Sequence, residues 1–335
     1  MDFVLLALAA LGLWGIGARR DGSYLSKEQT GAVNGFFVLL VFLRHAAEGF
    51  GFGPMDRVFR VLNRELDQLI VVPFLLYSGY GMARSIAAKG AAYVRSLPRK
   101  RICKIWLHFA LIVGIYAILG LILGKNYGWK RVLLSFTGWD SIGNSNWYIF
   151  AMLFFYAATW LSFTLFPRRK ALAAVGVWAL AIGYILALRG TKGLWWYDTA
   201  LVYPMGLTYG LAQEKIDGFL QKNRLLPWLG AVSFGLMFLL CFRYQQRLLC
   251  REAMAVAFGL TIVFVTMSVP IGNPVLTFLG KYTFEIYILQ RIPMILLERW
   301  IANDYLHLAL SFALTIPLAM AVHAAFQRLD KRLFG

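Results

Sequence analysis

Residues 31–45 read Gly31-Ala-Val-Asn-Gly-Phe-Phe-Val-Leu-Leu-Val-Phe-Leu-Arg-His45. From Phe36 to Leu43 every side chain is large and apolar, yet Asn34 and His45 stand at the two ends of the run. A helix that crosses a bilayer needs ~20 mostly apolar residues, with ~17–25 the usual range. Runs of this kind recur along all 335 residues, at Phe3–Gly17, Gly31–Ala47, Leu69–Met82, Ile105–Leu123, Trp147–Phe166 and Ala171–Leu188. Others follow at Leu194–Leu211, Leu226–Phe242, Met254–Val269, Pro274–Leu297 and Leu306–Phe326. Hydrophobic residues make up 60% of the chain, charged ones 15%, and mean hydropathy is +0.63. An ordinary globular chain carries ~25% charged residues, so a soluble enzyme, a disordered chain and a coiled coil are all excluded. The expected fold is all-α, a polytopic transmembrane bundle of about 10–11 spanning helices. The third run is short and contains Pro73, which predicts a kink or an extension to either side.

The net charge of +18 comes from 34 Lys and Arg against 16 Asp and Glu. These cations sit mainly in short loops between apolar runs, so membrane topology explains them and nucleic acid is not an expected partner. With the N-terminus outside, 19 Lys and Arg fall on one side and 13 on the other, with Arg44 and Lys281 inside spans. The richer side is expected to be cytoplasmic, which places the C-terminus there. Arg57, Arg60 and Arg64 lie on the opposite side and weaken the contrast. The first run is preceded only by Asp2 and followed by Arg19–Arg20, a charge order that favours a retained span over a signal peptide. Residues 1–26 therefore read as an extra transmembrane helix with a basic linker, and 27–335 as the main membrane domain. Cys103, Cys241 and Cys250 form neither a disulfide framework nor a metal signature, and no histidine pair has metal-ligand spacing.

Ionisable groups inside a span are functional candidates by default. Asn34 and His45 are 11 residues apart, close to three helical turns, so they share a face about 16 Å apart along the axis. Glu48 lies one turn beyond His45 and can hold the imidazole in one tautomer, as general base catalysis requires. A satisfied interior histidine, with Arg44 and Glu48 reaching the outer interface, accounts for the same residues. Between Arg84 and Lys104 the chain has seven basic residues and no acidic one, densest at Arg99-Lys-Arg-Ile-Cys-Lys104. Anchoring to anionic lipid and docking of a phosphorylated ligand both fit this segment. Ser78-Gly-Tyr-Gly-Met82 permits close helix contact or backbone approach to a ligand, with Ser78 and Tyr80 as polar candidates. Asn144-Ser-Asn-Trp-Tyr148 combines interfacial aromatics with two amides; Asn146 and Trp147 are candidates for a sugar hydroxyl or an acyl carbonyl. Lys281 and Glu285, at i and i+4, are spaced to pair.

In order along the chain, these pieces resemble the acyltransferase-3 family of integral-membrane acyltransferases. The likeness runs through Asn34-Gly35…Arg44-His45, Pro73-Phe-Leu-Leu-Tyr-Ser78-Gly79, Arg101-Ile-Cys-Lys104, Asn146-Trp147-Tyr148 and Leu279-Gly-Lys-Tyr-Thr-Phe-Glu-Ile-Tyr-Ile-Leu-Gln290, across residues 27–325. Two positions depart from the family pattern. Asn34 stands where a basic residue is usual, eleven positions before the histidine, and Gln290 stands where a late histidine is usual. Lys27 or Arg101 is a candidate to compensate for the first.

The resemblance implies transfer of an acyl group, usually acetyl, from cytoplasmic acyl-CoA to a hydroxyl of a cell-surface glycan or lipid-linked saccharide in a plasma membrane. On that basis His45 is the general base or an acyl-carrying relay, and Asn34 hydrogen-bonds the donor or the thioester oxygen. Arg99, Arg101 and Lys104 hold the donor phosphates. Acyl-CoA is a substrate, and no bound cofactor or metal is implied. Two other readings stay open: a glycan or lipid transporter or flippase, and a degenerate acyltransferase serving as a scaffold, for which Asn34 is the argument. A homodimer could form through Gly79 and Gly81, although packing within one chain explains those glycines equally well.

Overall fold

A computed structural model describes residues 1–17, 24–220 and 222–335. The basic pair Arg19–Arg20 lies outside the described residues. The chain is 80% helical and has no strand among the described residues. Lipid offers no partner to a backbone N–H or C=O, and a helix satisfies both within one segment. Seven helices among the described residues are long and apolar enough to cross a membrane. Several match apolar runs closely, including Trp147–Leu165, Lys170–Leu188 and Leu225–Arg243.

Three runs are built differently from a plain span. The third begins as a 3-10 turn at Asp67–Val71 and continues as a 26-residue helix, Val72–Leu97, well beyond Met82. Gly90, at φ 59°, kinks that helix where only glycine is comfortable. Leu194–Leu211 separates into a 3-10 turn, Leu194–Trp196, and a helix that starts only at Val202 and ends at Leu220. The run from Pro274 is interrupted twice, giving Pro274–Lys281, Thr283–Leu289 and Arg291–Leu297. At the second interruption Gln290 keeps helical angles (φ −53°, ψ −32°). Pro293 has no N–H to offer the carbonyl of Leu289, so the hydrogen-bond ladder breaks there.

The chain forms two compact units. The first comprises Met1–Phe37, Phe52–Val94 and Leu161–Lys281. Its helices meet through glycine. A Cβ on Gly79 would lie 2.1 Å from the Tyr203 carbonyl, and one on Gly206 would lie 2.1 Å from the Leu76 carbonyl. Gly79 is therefore engaged in packing inside the chain, whereas a Cβ on Gly81 would meet nothing within 4 Å. Backbone approach of this kind replaces the hydrophobic drive that lipid removes between membrane helices. The Asp2 carboxylate accepts from the N–H groups of Val58 (3.2 Å) and Phe59 (2.7 Å), capping the start of helix Arg57–Leu66. That helix exposes Val58, Val61 and Leu62 beside its three arginines, the amphipathic pattern of a segment lying in an interface. In the same unit Arg251 joins two turns, reaching Asp198 at 2.8 Å and Asp67 at 3.3 Å.

The second unit comprises Val38–Gly51, Arg95–Trp160 and Tyr282–Gly335. Its longest element is the helix Asp304–Leu333, started by Asn303, whose Oδ1 accepts from the Leu306 N–H at 2.9 Å. Helices Thr283–Leu289 and Arg291–Leu297 pack against it. His108 stacks on Phe326 with ring centroids 3.9 Å apart and bonds Asp330 through Nε2 at 2.9 Å. Along the interrupted segment, side chains take up backbone carbonyls. Tyr116 donates to Ile288 (3.2 Å), Gln290 to Tyr287 (3.2 Å), and His307 Nε2 bonds the Met294 carbonyl at 2.9 Å.

Candidate active site

His45 lies in the last turn of helix Lys27–Ala46, and the chain tightens into a 3-10 turn at Ala47–Gly49. Gly49, Gly51, Gly53 and Pro54 follow and prevent the helix from continuing. The tightened turn brings the Glu48 carboxylate back to the imidazole, with His45 Nδ1 and Glu48 Oε1 2.9 Å apart. A third group joins them from a distant part of the chain. Arg291, first residue of helix Arg291–Leu297, places Nη2 2.7 Å from the same His45 Nδ1 and also contacts Glu48 Oε1. The imidazole is mostly covered, with 19% of its side-chain surface exposed against 52% for Glu48 and 25% for Arg291.

His45 Nε2 has no hydrogen-bond partner among the described residues. With Nδ1–H donating to Glu48, Nε2 keeps its lone pair and can take a proton from a hydroxyl, or attack a carbonyl itself. Glu48 also stabilises the imidazolium that proton transfer creates. In that tautomer, with the hydrogen of one nitrogen held by a carboxylate and the other nitrogen unpartnered among the described residues, the ring has the general-base arrangement of hydrolases and transferases.

The other residues singled out in the sequence fall in several places. Asn34 belongs to the first unit, where its Oδ1 is buried with no hydrogen-bond donor among the described residues. Ser78 and Tyr80 are also in that unit, and the Tyr80 hydroxyl donates to Gln213 Oε1 at 2.9 Å. In the second unit, Arg99 donates to the Leu333 carbonyl at 2.7 Å. Lys104 Nζ lies 2.5 Å from Asp330 Oδ2, which ties the basic segment to the C-terminal helix. Arg101 is exposed. The Asn146 amide donates to the Gly138 carbonyl at 3.0 Å and so closes the preceding loop. Trp147 sets its ring edge-on to Tyr148, and Tyr148 in turn meets Tyr287 edge-on at 5.4 Å. In that motif the contact to helix Thr283–Leu289 is thus made by Tyr148. Glu285 meets His323, Nδ1 to Oε1, at 2.8 Å. Gln290 is fully buried, and its Oε1 has no partner among the described residues.

Arg291 is the residue that sequence reasoning missed. It is separated from His45 by 246 positions; although the run Pro274–Leu297 includes it, the charge count by side takes it with the loop charges and no local spacing marks it. The available signal was its place directly after Gln290, itself the position of a motif residue.

A family model described as an acyltransferase domain matches residues 32–325, which include His45, Glu48 and Arg291. Neither a curated protein nor a solved structure matches the chain.

Proposed function

Because the chain belongs to the acyltransferase-3 family of membrane proteins, we propose that it moves an acyl group, acetyl in the first instance, from cytoplasmic acyl-CoA to a hydroxyl of a cell-surface glycan or lipid-linked saccharide. The observation that carries this reading is the His45 geometry within the matched segment: Nδ1 beside the Glu48 carboxylate and Arg291, and Nε2 without a partner among the described residues. In direct transfer, Nε2 takes the proton of the acceptor hydroxyl while its oxygen attacks the thioester carbonyl. The tetrahedral intermediate then expels the CoA thiolate, which takes the proton back from the imidazolium. In the relay version Nε2 attacks first and an acyl-imidazole carries the group to the acceptor. Both routes need Nε2 as the nucleophilic or basic atom.

Arg99, Arg101 and Lys104 are proposed to hold the donor phosphates, since guanidinium and ammonium groups suit phosphate oxygens. Asn34 is proposed as a hydrogen-bonding contact to the donor, which suits the unpartnered state of its Oδ1. Ser78, Tyr80, Asn146 and Trp147 are proposed to contact substrate. The orientation that fits has the N-terminus outside, the C-terminus and basic segment in the cytoplasm, and His45 toward the outer face of a plasma membrane.

The test uses purified protein in lipid with radiolabelled acetyl-CoA and, as acceptors, neutral and anionic saccharides. Wild type is expected to release CoA or become labelled, and His45→Ala to lose both while retaining its abundance and melting behaviour. Turnover by a folded His45→Ala variant at wild-type rate would remove the assignment. Transport of a glycan or lipid without any acyl turnover would replace it with a carrier.

A further inference from the structure

His45 Nδ1 has two incompatible neighbours. Glu48 Oε1, at 2.9 Å, can only accept a hydrogen bond, and Arg291 Nη2, at 2.7 Å, can only donate one. One nitrogen cannot serve both. With Arg291 donating, Nδ1 must be unprotonated, the neutral ring carries its hydrogen on Nε2, and Nε2 cannot act as a base. With Nδ1–H donating to Glu48, Nε2 holds a lone pair and the base is ready. Position of the guanidinium therefore selects the tautomer.

Arg291 is poorly satisfied where it stands. Its Nε is buried with no hydrogen-bond partner among the described residues. Its one described set of contacts, to His45 and Glu48, runs through Nη2. A guanidinium offers five donors in a planar fork matched to a carboxylate or phosphate. An oxyanion that engages the Nε–Nη edge gives the group a bidentate partner that its present position lacks.

We propose that Arg291 is a positioning and specificity-determining residue, and that the acceptor is an anionic saccharide whose carboxylate or phosphate draws Arg291 away from His45 and thereby turns Nε2 into the base. The inference rests on His45 serving as the base. On binding, the ring hydrogen passes through solvent from Nε2 to Nδ1, where Glu48 accepts its hydrogen bond, and no other group changes protonation. A neutral hydroxyl compound leaves Arg291 in place and the base switched off, so the enzyme discriminates acceptors by a charge remote from the reacting oxygen.

The experiment reads the ring nitrogens directly. The full chain, with nitrogen-15 histidine, is placed in lipid nanodiscs without any acyl donor. Resonances are assigned with single His→Gln variants of the four histidines. The probes are methyl glucoside, methyl glucuronide and glucose 1-phosphate. In wild type, the His45 Nε2 signal is expected to be of the protonated kind with methyl glucoside. It should change to the unprotonated kind with one or both anions, while the His307 and His323 signals stay fixed. A response to the glucuronide alone identifies an acidic glycan, and a response to the phosphate alone a phosphate-linked saccharide.

Arg291→Gln should show unprotonated Nε2 with every probe, and Arg291→Lys should respond to the anions at higher concentration. No change with either anion in wild type, or the same change in Arg291→Gln, overturns the proposal. In a transfer assay, wild type should favour the anionic acceptor by about tenfold or more, the worth of one charge-assisted hydrogen bond, and Arg291→Gln should lose that preference. A tautomer response without any acyl turnover would leave the inference standing and defeat the proposed function instead.

Discussion

Replacing Glu48 by Gln removes a charge and keeps the shape, which isolates what the carboxylate does for His45. In the transition state of general-base transfer the ring becomes an imidazolium 2.9 Å from Glu48 Oε1. Two unit charges at that separation attract by ~1.4 kcal/mol at an effective dielectric near 80 and by ~3 kcal/mol near 40. Glu48 has 52% of its side-chain surface exposed, so this high-dielectric range applies and deep-interior values do not. Each ~1.4 kcal/mol is tenfold in rate. Glu48→Gln should therefore lower kcat by about 10- to 100-fold, well short of what removing the imidazole does. Because the carboxylate acts on the chemical step, KM for acetyl-CoA should move little. Initial rates of CoA release in nanodiscs, at saturating anionic acceptor and across donor concentration, measure both constants. If kcat stays within threefold of wild type while His45→Ala is inactive, Glu48 does not assist the base and the catalytic reading of the pair is wrong.

Other outcomes follow from the packing and the charged segment. Gly206→Leu forces a Cβ to within 2.1 Å of a backbone carbonyl and should destabilise by about 1–3 kcal/mol or more. Gly81→Ala, with open space around it, should be neutral or slightly stabilising in the same detergent melt; equal behaviour of the two would refute the close helix approach. Asp330→Asn removes the partner of both Lys104 and His108 and should lower the melting midpoint by about 2–4 °C. Lys104→Gln in that background should cost little more, and full additivity in the double-mutant cycle would show the pair to be uncoupled. Arg101→Gln should raise the donor KM several-fold with kcat nearly held, and an unchanged KM removes it from the donor site.

Hydropathy carried most of the architecture, because a span is a sum over about twenty residues and tolerates errors in any one of them. Trp147–Leu165 and Lys170–Leu188 were readable to within a residue or two for that reason. The same summation cannot see where a run is broken. Pro274–Leu297 has the composition of one span, but its interruptions depend on Tyr282 and on the missing N–H of Pro293. Leu194–Leu211 likewise includes aromatic turn residues that score as membrane-like. Within the site, Glu48 was legible because its partner is three residues away, whereas Arg291 was not, since no local period links it to His45. Glu285 shows the opposite failure: spacing pointed to Lys281, and the structure supplies His323 from a separate helix.

The carbonyls of Tyr287, Ile288 and Met294 are read by Gln290, Tyr116 and His307. A smooth apolar helix in lipid can rotate about its axis or slip by a turn at little cost, since one lipid-facing leucine resembles another. A segment gripped by its backbone from neighbouring helices at Ile288 and Met294 has lost that freedom. Its angular setting is keyed like a shaft, and Arg291 is carried on the keyed part. The chain should accordingly accept many apolar exchanges between Ile286 and Ile295, yet fail when a single residue is inserted there, because insertion turns the key by 100° and swings the guanidinium away from His45.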